Sequence, residues 1–188
     1  GAQVPAINVW RATMSGFCAS LVGIGIARFA YTPLLPAIIG AHWFAASAAA
    51  YLGAANLAGY LAGALLARPM GRALPAAWVI RSMMVLASVA ILACAMPVSF
   101  LWFFVWRFAS GLAGGTLMVL AAPAVLAHVT PARRGVASGV IFMGVGVGIA
   151  ASGTLVRLLL REGLTATWLG LGILPLVLLF LVMQRNIV

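Results

Sequence analysis

The stretch Gly23–Pro36, GIGIARFAYTPLLP, decides the fold of this chain. It is apolar almost throughout, yet it carries Arg28 near its centre and two prolines close to its end. An arginine in the middle of a membrane span costs roughly 2.5–3.5 kcal/mol on insertion scales, and each Leu, Ile, Val or Phe offsets about 0.3–0.6 kcal/mol. The neighbouring apolar residues therefore suffice to insert the segment. We expect Arg28 to face protein or water, not lipid.

The composition is that of an integral membrane protein. Of the 188 residues, 65% are hydrophobic and 6% are charged, and the mean hydropathy is +1.21. A soluble domain of this size needs a far more polar exterior. The net charge of +10 comes from eleven arginines and a single acid, Glu162. Because the arginines stand singly or in pairs at the ends of apolar runs, they indicate membrane topology and not nucleic-acid binding.

Six apolar runs have about the 20 residues that a helix needs to cross a bilayer. They are Thr13–Ile39, Ala46–Ala67, Ala76–Met96, Ser99–Ala127, Val136–Val156 and Ala166–Met183. Alternation of polar and apolar residues over ten positions, which a membrane β-barrel requires, is absent from the sequence. We therefore predict an all-α membrane protein, with residues 1–188 forming a single bundle of six transmembrane helices.

The arginines also predict the orientation of the bundle. A cytoplasmic N-terminus places most of them inside, where the positive-inside rule expects them. These are Arg11, Arg68, Arg72, Arg133, Arg134 and Arg185, with Arg81 close to that side. Arg157 and Arg161 would lie outside. We expect both termini to be cytoplasmic and the membrane to be a bacterial inner membrane.

Tryptophans and glycines suggest how the spans are anchored and packed. Five tryptophans near span ends are typical of an aromatic belt at the membrane surface; they are Trp10, Trp43, Trp78, Trp102 and Trp168. Gly59 and Gly63 form a GxxxG pair on the second span, and Gly144 and Gly148 form another on the fifth. Such pairs allow close helix packing. The glycine-rich fifth span fits either tight packing or a helix that must bend or slide.

Few polar groups lie within the spans, and they define the candidate binding residues Arg28, Tyr31, Asn56 and Arg107. A buried arginine either bonds to backbone carbonyls or binds an anion, and Asn56 serves either as a link between helices or as a ligand contact. No acid lies in a predicted span to neutralise the two arginines. This imbalance favours a small anionic solute, because the guanidinium fork binds two carboxylate or phosphate oxygens at once.

Catalysis and metal binding have little support in the sequence. His42 and His128 fall at span ends, Glu162 lies in a loop, and Cys18 and Cys94 sit singly in apolar segments as small buried side chains do. We expect no enzyme activity, no metal and no cofactor.

Four segments resemble the N-terminal half of a major facilitator superfamily transporter of the YbfB/YjiJ-like branch. They are GIGIARFAYTPLLP, YLGAANLAGYLAGALLA, RFASGLAGG and TPARRGVASGVIFMGVGVG. The resemblance implies two six-helix bundles around a central cavity that work by alternating access, with Arg28 and Arg107 on cavity-lining helices. The second bundle is absent from this chain, so we expect a missing C-terminal half or a second chain to supply it. The alternative is a structural or assembly protein whose helices pack without a transport site.

Overall fold

Helices account for the fold. The computed structural model describes residues 13–14, 17–18, 21, 31–96, 98–126 and 129–184, and no strand occurs within these ranges. The helices are α1 (Tyr31–Gly40), α2 (Ala46–Ala73), α3 (Ala76–Ala93), α4 (Phe100–Leu126), α5 (Arg134–Leu159) and α6 (Leu164–Gln184), and two short 3₁₀ turns, Pro131–Arg133 and Leu160–Glu162, flank α5. A helix satisfies its own backbone hydrogen bonds, as a bilayer requires. The predicted all-α class is confirmed.

Within the described residues, three helical segments are long and apolar enough to cross a membrane: Ala46–Ala73, Phe100–Ala121 and Pro131–Glu162. Two shorter apolar segments, Trp78–Ala93 and Leu164–Phe180, accompany them. The helix α2 continues through Pro69 to Ala73, past the predicted span end at Ala67. Pro69 lies close to the helix end, where the loss of one backbone hydrogen bond disturbs few turns.

The outer surface of the bundle is apolar. Leu61, Leu65 and Tyr51 on α2 are each more than half exposed, as are Leu101 on α4 and Phe180 on α6. Exposed apolar surface on this scale is incompatible with water and matches lipid or a membrane partner. The described part of the chain therefore belongs in a bilayer.

The turn between α1 and α2 is closed by a Schellman motif around His42. The His42 backbone has φ 59°, and the Trp43 amide donates a hydrogen bond to the Ile38 carbonyl at 3.2 Å. The His42 amide bonds to the Ile39 carbonyl in the same turn. This pattern satisfies carbonyls that the helix end would otherwise leave open.

Two apolar clusters form the core. One gathers residues from all six helices near the α1–α2 and α3–α4 turns, including Leu34, Phe103 and Trp168. The other joins α3, α4 and α6 towards the opposite end of the bundle, around Met84 and Leu117. Arg107 lies on α4 between these two clusters, about 10 Å along the helix from its first residue.

The closest helix pair is α2 and α4, and glycines on both helices allow it. A Cβ at Gly59 or Gly63 would overlap the backbone carbonyl of Phe108 or Leu112 on α4. The Thr116 hydroxyl adds a hydrogen bond to the Gly63 carbonyl at 3.2 Å. The predicted packing role of the Gly59–Gly63 pair is therefore confirmed.

The facing helix α4 carries a second glycine pair that was not predicted from the sequence. A Cβ at Gly111 would overlap the Asn56 carbonyl, and one at Gly115 would overlap the Tyr60 carbonyl. Two GxxxG pairs thus face each other, one from each helix, and bring the two backbones into contact. This contact fixes the position of α4, which carries Arg107, relative to α2, which carries Asn56.

The α5 glycines divide between packed and open positions. A Cβ at Gly144 would overlap the Phe17 carbonyl, so Gly144 permits close approach of the first span. At Gly146 a Cβ would meet nothing within 4 Å. The helix α5 is continuous from Arg134 to Leu159. Packing therefore explains Gly144, while Gly146 has no packing role among the described residues.

Candidate functional site

Arg107 is held inside the bundle. Its side chain is 2% exposed, and its guanidinium carbon Cζ lies 4.6 Å from the centroid of the Tyr31 ring and 5.9 Å from that of Trp168. The faces of aromatic rings attract a cation, and the attraction grows when water is excluded. Arg107 therefore does not extend to the membrane surface. Its charge is placed between α1 and α6.

Tyr31 on α1 contacts both α2 and α4. Its hydroxyl donates a hydrogen bond to the Ala49 carbonyl on α2 at 2.6 Å, and its ring receives the guanidinium of Arg107. A buried tyrosine needs a partner for its hydroxyl, and here the backbone supplies one. The bond fixes the ring against the cation.

Asn56 contacts the same turn of α4 from the other side. Its Nδ2 donates a hydrogen bond to the Arg107 backbone carbonyl at 3.1 Å, and the side chain is 3% exposed. The amide links α2 to α4 at the residue that carries the guanidinium. Three of the four predicted binding residues, Tyr31, Asn56 and Arg107, thus lie around one point. The fourth, Arg28, lies outside the described residues.

The charge of Arg107 has no acid beside it in the described part of the chain. Glu162, the single acid of the sequence, is exposed in the Leu160–Glu162 turn. The buried Nε atom of Arg107 also has no hydrogen-bond partner among the described residues. A buried cation in this state favours an anion or water as a further partner.

Trp168 also belongs to this site, although it was not among the binding residues predicted from the sequence. The predicted role at the membrane surface is wrong for Trp168, which is 1% exposed. Its ring packs edge-to-face on Phe103, with centroids 5.5 Å apart and planes at 84°. Phe103 precedes Arg107 by one turn of α4, so both face α6. Trp78, in contrast, is 61% exposed, as a belt residue should be.

Both cysteines are free thiols. Cys94 is fully buried in the apolar cluster around Phe103, and Cys18 is partly buried. This agrees with their predicted role as small apolar side chains.

The chain forms an apolar helical bundle and buries an arginine among aromatic side chains. These two features are typical of integral membrane proteins that bind solutes at a charged interior site. The family model described as "Uncharacterised MFS-type transporter YbfB" matches residues 20–188 of this chain. The chain therefore belongs to the YbfB-type transporters of the major facilitator superfamily, and the resemblance seen in the sequence is confirmed. A search of curated proteins gave no match.

Proposed function

We propose that the chain is one half of a secondary transporter that moves a small anionic solute across a bacterial inner membrane by alternating access. The observation that supports an anionic solute is the buried guanidinium of Arg107, whose Nε has no hydrogen-bond partner among the described residues. Membership of a transporter family supports the transport part. A protein whose helices only packed together would gain nothing from a buried charge without an acid beside it.

Each predicted residue has a distinct role in this proposal. Arg28 and Arg107 bind the anionic group of the solute, because the guanidinium fork matches two oxygens. Tyr31 supports Arg107 through its ring face. Asn56 holds the α4 backbone at Arg107. The negative charge of the solute then compensates the positive charge of Arg107, which no acid among the described residues neutralises.

Alternating access needs a second six-helix bundle, because two bodies must rock against each other around the solute. The apolar outer faces of α2 and α5 offer surface for such a partner, with Leu61, Leu65 and Met143 each more than half exposed. We propose that a covalent C-terminal half or a second chain fills this role. A purified monomer of 188 residues, reconstituted in liposomes, should then show no saturable uptake of any solute. Saturable uptake by the monomer would contradict the two-bundle mechanism.

Arg28 provides the test of the anion site. Arg28→Lys keeps the charge but loses the fork, so it should abolish most solute uptake while the protein still inserts and folds. Arg28→Ala should lose at least as much. The matched control is Arg161→Lys, because Arg161 is exposed in the turn after α5.

The assay measures uptake of a panel of radiolabelled carboxylates and phosphate esters by cells that express the chain with its second bundle. Thermal stability in detergent is recorded for every variant. The structural alternative predicts the opposite result, with poor stability and no specific loss of uptake. Normal uptake by a well-folded Arg28→Ala protein would exclude the anion site.

A further inference from the structure

Two neighbouring buried side chains each carry an N–H donor without an acceptor among the described residues. The Nε of Arg107 and the Nε1 of Trp168 each have no hydrogen-bond partner among the described residues. Both side chains are at least 98% buried, with relative exposures of 2% and 1%. A buried donor without an acceptor costs free energy, and nearly all such groups in folded proteins find one. Two such donors on neighbouring side chains favour a shared acceptor.

The indole of Trp168 is packed among neighbours that offer its N–H no acceptor among the described residues. Phe103 packs edge-to-face against its ring, and the Thr167 hydroxyl bonds to the Gly163 carbonyl at 2.8 Å in the same first turn of α6. The indole of Trp102, in comparison, has a backbone acceptor, because its Nε1 donates a hydrogen bond to the Ala93 carbonyl at 3.0 Å. The free N–H of Trp168 is therefore a specific feature of this position.

We propose that Trp168 and Arg107 together bind one carboxylate group of the solute, with Trp168 donating its indole N–H to one oxygen and Arg107 its guanidinium to the other. The guanidinium carbon lies 5.9 Å from the Trp168 ring centroid. The two side chains are therefore neighbours, and a carboxylate has two oxygens, each of which can accept a hydrogen bond at about 2.9 Å, so that one group can serve a donor on each. This inference rests on the proposed anionic solute and adds Trp168 as a residue that determines specificity.

Charge decides between an anion and a water molecule at this position. Water would satisfy both donors but would leave the guanidinium charge uncompensated, and no acid lies beside it in the described part of the chain. A carboxylate satisfies the donors and the charge together, and charge-assisted hydrogen bonds are the stronger ones. A carboxylate also offers a separate oxygen to each of the two donors, which a single halide ion does not.

The test uses the indole N–H resonances of the chain labelled with ¹⁵N-tryptophan and held in detergent micelles. The probe is sodium formate, the smallest carboxylate, and sodium chloride at equal ionic strength is the comparison. The Trp168 resonance, assigned by its loss in Trp168→Phe, should shift saturably with formate and much less with chloride. The Trp102 resonance, assigned through Trp102→Phe, should not move, because its N–H is already bonded.

Arg107→Lys is the decisive variant, because it leaves Trp168 in place and does not depend on the folding of Trp168→Phe. It should weaken the apparent formate affinity at least tenfold, because lysine has no N–H donor at the position of the arginine Nε. No Trp168 shift with formate, an equal shift with chloride, or an unchanged shift in Arg107→Lys would each overturn the proposal. A formate response together with normal uptake in Arg28→Ala would sustain this carboxylate site while the proposed role of Arg28 failed.

Discussion

The guanidinium carbon of Arg107 lies 4.6 Å from the ring centroid of Tyr31, and the hydroxyl of that tyrosine donates a hydrogen bond to the Ala49 carbonyl. One side chain on α1 therefore contacts both α4 and α2. Its ring face stabilises a cation on α4, and its hydroxyl fixes α1 to α2. Because different atoms perform the two tasks, substitutions can separate them.

Tyr31→Phe removes the hydroxyl and keeps the ring. We expect it to lower the free energy of unfolding by about 0.6–1 kcal/mol, the usual worth of one hydrogen bond between membrane helices. Tyr31→Leu also removes the ring face from a desolvated cation, which adds about 2 kcal/mol. Unfolding in mixed detergent micelles measures both changes.

Tyr51→Phe is the matched control for this pair, because Tyr51 is 66% exposed on α2 and its hydroxyl should contribute little. If Tyr31→Phe and Tyr31→Leu lowered the free energy of unfolding equally, the contact between the Tyr31 ring and the Arg107 guanidinium would contribute nothing to the stability of the protein.

The arginines predict a membrane orientation that is open to direct measurement. Single cysteines introduced at His42, Met70, Pro97 and Ala132 should react with a membrane-impermeant maleimide only from outside, inside, outside and inside, respectively. Cys18 and Cys94 are first replaced by serine, so that each introduced cysteine is the single site that the maleimide can label. Reaction of a cysteine at position 70 from the outside would reverse the predicted orientation.

Much of the fold could be predicted because membrane helices are specified locally. An apolar run of about 20 residues is long enough to span the bilayer, and backbone hydrogen bonding then imposes a helix. The packing role of Gly59 and Gly63 was also predictable, since the spacing of small residues on one helix is visible in its own sequence. The helix that faces Gly59 and Gly63 could not be predicted from the sequence. For that reason the complementary pair Gly111 and Gly115 on α4 was not predicted.

The candidate site was predicted only in part. Tyr31, Asn56 and Arg107 stood out because polar groups are rare in apolar spans. Trp168 did not, because α6 is apolar on every side and offers no polar face from which its buried side could be recognised. A tryptophan at a span end resembles a membrane-surface residue until the opposite wall, here Phe103 and Arg107, is known.

The contact between α2 and α4 yields the sharpest stability prediction. Gly111→Ala would place a methyl group against the Asn56 carbonyl, so the two helices must separate at the residue that holds the Arg107 backbone. We expect a loss of about 1–3 kcal/mol in unfolding free energy, the usual cost of overpacking. This loss opposes the gain of up to about 1 kcal/mol that alanine brings to a helix.

Gly146→Ala is the matched control, because Gly146 lies mid-helix on α5 and a Cβ there meets nothing within 4 Å. It should leave the unfolding free energy of the isolated chain unchanged or raise it by up to about 1 kcal/mol through helix propensity. Denaturation of both variants in mixed micelles gives the comparison. If Gly111→Ala were as stable as the parent chain, the two glycine pairs would not determine the helix contact. A loss of stability in Gly146→Ala would instead indicate that α5 needs glycine in order to bend.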